Sequence, residues 1–129
     1  MTSPATLAAA LRAHAQGLRC HQAAAELLIA QNWLHRADFT SRFITVHPGT
    51  GGGQPVAVID WPAVITALGA SLPCSGGEQR MLKITASLAG GIPVDLQDTI
   101  TGLDDRNIQL LLTAISRASG KPPLNWGNS

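Results

Sequence analysis

Three histidines, His14, His21 and His35, lie seven and fourteen residues apart, with Cys20 next to His21. On one continuous helix they would align, and imidazole with thiolate is a zinc-binding set. Gly17 falls between the first two and breaks such a helix. No pair follows a zinc spacing such as CxxC or HxxxH, so surface histidines and no metal are expected. A nucleophilic cysteine needs a base within hydrogen-bond reach. The spacing argues for none at Cys20 or Cys74, and both read as small apolar or capping residues. Ser75 with Glu78 three residues later is a capping-box pattern: the hydroxyl accepts the backbone N–H of residue 78, and the carboxylate reaches back to the N–H of Ser75.

The basic side chains form no large field. Net charge is +1, which gives nothing to steer nucleic acid or anionic lipid. Residues 1–50 hold Arg12, Arg19, Arg36 and Arg42 against Glu26 and Asp38. Charged residues make up 13% of the 129-residue chain and apolar ones 45%. About 25% charged is usual, so an apolar patch left for a partner is one expectation; the abundant alanine is the milder explanation.

The elements that must position these groups are legible from caps and periodicity. Ser3-Pro4 opens a helix near 4–16, with Leu7, Leu11, Ala15 and Leu18 spaced for one face. A second helix is expected near 21–34 and a third near 37–45, carrying Phe39 and Phe43. Ile44–His47 and Val56–Ile59 read as a small hairpin around the glycine-rich tip 48–55. Asp60 caps a helix with Pro62 in its first turn, ending at Leu72-Pro73. Helices then follow near 76–89, 96–101 and 105–119, with Ile108, Leu111, Leu112 and Ile115 as the inner stripe of the last. Gly120 and Pro122-Pro123 stop it. The expected fold is mainly α: six or seven helices in one compact domain over 1–120, one small β-hairpin, and a C-terminal tail over 121–129. Trp33 and Trp61 are expected to be buried, and Trp126 exposed in the tail unless a partner covers it.

Ser75-Gly76-Gly77-Glu78-Gln79-Arg80 resembles the signature motif of ABC-type ATPases, often LSGGEQQR, and Thr101-Gly102-Leu103-Asp104 resembles their D-loop. The resemblance covers residues 75–105 and implies a nucleotide-binding protein. Gln97-Asp98 stands where that family has its acidic pair, and no GxxxxGK[ST] phosphate loop occurs. The glycine-rich tip lacks the lysine that would hold a terminal phosphate. No cofactor is expected. The stretches AAAELLIAQNWLHRADF, IDWPA and GIPVDLQDTITGLDDRN resemble small uncharacterised proteins of high-GC bacteria, a likeness that carries no activity.

The titratable groups are scattered, with no acid, base and nucleophile close in sequence, so no enzyme is expected. The expected function is a non-enzymatic protein-interaction or accessory module, a dimer or an accessory subunit, that binds an unknown protein or a second copy. Trp126, Arg36 and Arg42 are the candidate partner-binding residues. One alternative is a DNA-binding regulator of winged-helix-like type, in which Arg36 and Arg42 precede the hairpin; its tip, however, holds no Lys or Arg. The other is a degenerate nucleotide-binding protein. No apolar run reaches the roughly 18 residues that cross a bilayer, and no basic start precedes the first apolar stretch, so a cytoplasmic protein without membrane contact is expected.

Overall fold

The computed structural model describes residues 2–121. Among them are seven α-helices and one two-stranded antiparallel hairpin, a mainly α architecture.

α1 (Pro4–His14) begins where the Ser3 hydroxyl accepts the Thr6 N–H at 3.1 Å, with proline at the first helical position. The chain turns at Gly17, which takes Leu18 off the helix face that its spacing predicted and leaves it 50% exposed. α2 (Arg19–Ala30) starts there and stops four residues short of the expected 34. The cause is Asn32, which adopts a left-handed conformation and starts a one-turn 3-10 segment, Trp33–His35. That segment swings Trp33 and Leu34 into the core.

α3 (Ala37–Phe43) runs directly into β1 (Ile44–His47). β1 pairs with β2 (Val56–Ile59) from Ile44 opposite Ile59 to His47 opposite Val56. At the tip between them, Gly53 N–H donates to the Thr50 carbonyl at 3.0 Å. The loop folds so tightly there that a Cβ on Gly49 would collide with the Gly53 carbonyl, which makes glycine necessary at 49.

α4 (Trp61–Ala67) is capped by Asp60, whose carboxylate accepts the Ala63 N–H at 3.1 Å. It ends at Ala67 rather than at Leu72, because Leu68 is already extended and the chain turns back at Gly69. Leu72 still enters the core, carried there by that turn. α5 (Gly76–Gly90), α6 (Leu96–Ile100) and α7 (Asp105–Ser119) complete the order, with side-chain caps from Ser75, Asp95 and Asp104.

The apolar side chains gather in two clusters. In the first, Trp33, Phe39 and Phe43 stack in series with centroid separations of 5.1 and 5.3 Å. Leu7 and Leu11 of α1, Leu28, Ala57, Trp61, Val64 and Leu82 close around them. In the second, Ala23 and Leu27 of α2 meet Met81 and Ile84 of α5 and Leu111 and Ala114 of α7. α5 is therefore buried on two sides, Leu82 and Ala86 facing one cluster and Met81 and Ile84 the other. α2 is the common support: both α5 and α7 pack along it, with their own side chains meeting in the second cluster. Both run antiparallel to it, since Arg106 at the start of α7 donates to the Ala30 carbonyl at 2.8 Å and Ser75 lies near Gln31.

Candidate functional site

The histidines do not form a cluster. His14 and His21 approach edge to face, with ring centroids 6.3 Å apart, while His35 is exposed at the end of the 3-10 segment. Among the described residues, no group of three or more His, Cys, Asp or Glu side chains could hold a metal ion. Cys20 is exposed and Cys74 half-buried. Burial, and then the nearby Glu78 carboxylate, push the Cys74 thiol above its ordinary range, which works against a thiolate nucleophile.

Arg36 and Arg42 are engaged within the molecule. Arg36 forms a two-pronged ion pair with Asp38, donates to the Pro73 carbonyl at 2.8 Å, and lies over the Trp33 ring at 4.8 Å. The paired Arg36 holds the Asp38 carboxyl below its usual range. Arg42 donates to the Ser71 carbonyl at 3.0 Å and to its hydroxyl at 2.7 Å, and lies over Phe43 at 4.8 Å. Both arginines thus tie the α3 region to the loop after α4. Arg12 similarly joins α1 to α2 through a two-pronged pair with Glu26, whose carboxyl is lowered chiefly by that hydrogen bonding.

The two ATPase-like segments do meet in space. Ser75, Gly77, Glu78 and Arg80 share one hollow with Gly102, Asp104 and Arg106, where α5 and α7 both begin. The chemistry of that hollow is capping. Glu78 N–H donates to the Ser75 hydroxyl at 3.2 Å, and Ser75 N–H donates to the Glu78 carboxylate at 2.8 Å. Asp104 accepts the Asn107 N–H at 2.8 Å. Each helix start thus carries its own carboxylate where an incoming phosphate would need open N–H groups. Ser75→Ala is expected to cost about 1 kcal/mol, Glu78→Ala less, and the double variant less than their sum. Denaturant melts of the three variants measure this; full additivity would mean that the two bonds act independently.

The place of an apolar groove was not legible in the sequence. Ile84, Ser87 and Leu88 of α5 form one wall of a groove, and Ile108, Leu112 and Ile115 of α7 form the other. Val94, Leu96 and Ile100 close one side. No charged side chain lines it. Five large apolar side chains are exposed among the described residues, and three of them, Leu96 (57%), Ile100 (42%) and Ile115 (51%), border this groove. The expected inner stripe of α7 is corrected accordingly. Leu111 and Ala114 are the residues that face α2, and the Ile108–Leu112–Ile115 row stands beside the gap left between α5 and α7. α6 is two-sided in the same way: Leu96 and Ile100 face the groove, while Asp95, Gln97, Asp98 and Thr101 form a polar surface with Arg80. Thr99, fully buried, fastens α6 by donating to the Asp95 carbonyl at 2.8 Å.

No family model matches the chain, and no curated protein or solved structure matches it either. No helix among the described residues is long and apolar enough to cross a membrane. Trp126, the remaining sequence candidate, lies outside the described residues.

Proposed function

We propose that the protein is a non-enzymatic interaction module that accepts an uncharged, apolar segment of polypeptide in the groove between α5, α6 and α7. The observation that carries this reading is the convergence of Leu96, Ile100 and Ile115, exposed and on two different helices, at one uncharged groove. Contiguous apolar exposure marks interaction surfaces, whereas single exposed aliphatics do not. The ionisable groups lend support by being used elsewhere. Glu26 and Asp38 are ion-paired, and Asp60, Glu78, Asp95 and Asp104 are helix caps.

The test is a cross-linking comparison in lysate of the native host between the wild-type chain, Leu96→Glu, and Val46→Glu. Val46 is also apolar and exposed, but it lies on β1, away from the groove. A protein that depends on the groove should be captured by the wild type and by Val46→Glu. Its affinity for Leu96→Glu, measured with purified components, should fall by about tenfold or more, since a charge is poorly tolerated in a desolvated apolar contact. Equal affinity for all three chains would overturn the assignment of the groove.

A further inference from the structure

We propose that the groove is occupied in cis by the chain's own segment beyond α7, with Trp126 as its anchor. This rests on the groove being a docking face for an uncharged apolar segment, and it names the first such segment that the groove meets. Residues 122–129, Pro-Pro-Leu-Asn-Trp-Gly-Asn-Ser, contain no charged side chain and two large apolar ones, Leu124 and Trp126. An uncharged segment entering an uncharged groove leaves no ion desolvated. Tryptophan is the side chain most favoured as an anchor in such a contact.

α7 ends in a closed turn. Gly120 adopts a left-handed conformation with φ 76°, its N–H bonding back to the Arg117 and Ser116 carbonyls. Lys121 N–H then donates to the Ser116 carbonyl at 3.1 Å. This closure turns the chain off the helix axis. Two prolines, Pro122 and Pro123, follow in the sequence, a residue type that cannot continue a helix's hydrogen bonding.

Reach agrees with the placement. Ile115 and Leu112 lie six and nine residues before Lys121, so they stand about 9 and 14 Å back along α7 at about 1.5 Å per residue. The five residues from Lys121 to Trp126 span up to about 17 Å at about 3.3 Å each. That length sets the limit of the proposed contact: Ile115 falls well within it and Leu112 near its end, whereas Ile108, about 20 Å back, lies beyond it. A tether this short holds its end near the groove at an effective concentration of order millimolar. A partner must compete with that segment, so the strength of the internal contact sets the threshold for binding.

Tryptophan fluorescence of the full-length chain tests this. Trp33 is 1% exposed and Trp61 8%, so emission readily quenched by acrylamide reports Trp126. The wild-type chain should show little of it. Ile115→Glu and, on another helix, Ile100→Glu should each red-shift the spectrum and raise the quenching constant of the accessible fraction several-fold. Adding Trp126→Phe to either variant should abolish that change. Melts confirm that each variant is folded, and substitution at two exposed positions keeps the test independent of either one alone. Protection of Trp126 should persist across about a hundredfold dilution, because an internal contact obeys no mass action. A wild-type chain whose Trp126 is already freely quenched overturns the proposal, and so does protection that vanishes on dilution, the sign of a second copy. Neither result touches the docking reading itself, which the Leu96→Glu comparison decides on its own.

Discussion

Phe39→Ala is expected to lower stability by about 3–5 kcal/mol, the largest single loss among the aromatic positions. Phe39 has no exposed surface and stacks between Trp33 and Phe43, so truncation leaves a cavity between two rings that cannot easily collapse on it. Domains of this size have roughly 5–15 kcal/mol in total, so the variant would stand near its unfolding threshold at ordinary temperature. The neighbouring ring provides an informative contrast. Trp33 is 1% exposed, and its Nε1 is buried with no hydrogen-bond partner. Trp33→Phe removes apolar contact but also removes that unsatisfied donor, whose burial costs about 1–3 kcal/mol. The two effects oppose each other, so its cost should fall well below that of Phe39→Ala. Urea melts of both variants compare them directly. An equal loss would show that the indole N–H carries no penalty.

Ala23→Leu is expected to cost about 1–3 kcal/mol, the usual range for overpacking. Ala23 has no exposed surface and sits on α2 where α5 and α7 both approach, beside Met81, Ile84, Leu111 and Ala114. Small side chains there let three helices converge. A leucine must displace α7, because α5 is held on its other side by Leu82 and Ala86 in the first cluster. Hydrogen exchange should therefore quicken in α7 more than in α5, alongside the lower melting midpoint. Uniform change in both helices would mean that the second cluster repacks as a whole.

The helix starts were legible because each is chemically local. Ser3-Pro4, Asp60 with Pro62, Ser75 with Glu78, and Asp104 each carry their cap within three residues, and all four form as their sequences imply. Gly120 was equally readable as a stop. The ends of α2 and α4 were misjudged for one reason: apolar spacing continues through Leu34 and Leu72, but a left-handed Asn32 and the turn at Gly69 deliver those side chains to the core by other routes. The low charge of the sequence allowed for an apolar patch but did not give its place. Ile108, Leu112 and Ile115 have the periodicity of a buried stripe, and the placement of α7 on α2 leaves Ile115 exposed and the other two half-buried at the groove. The ATPase-like segments mark the opposite case. Their proximity in the fold is real, and within it Ser75, Glu78, Asp104 and Asn107 take part in helix capping.

The support that α2 gives to α7 also sets an order of events during synthesis. The first cluster draws on residues 7–86 and can close once α5 has emerged. The second cannot: Ala23 and Leu27 wait for Leu111 and Ala114, more than eighty residues downstream. Until then one side of α2 is bare, a nascent chain with a sticky seam. Contacts of such sequence separation slow folding in a protein whose helices would otherwise form within microseconds. A ribosome paused before Asp105 therefore holds a half-finished molecule, the form in which chaperones would be most needed.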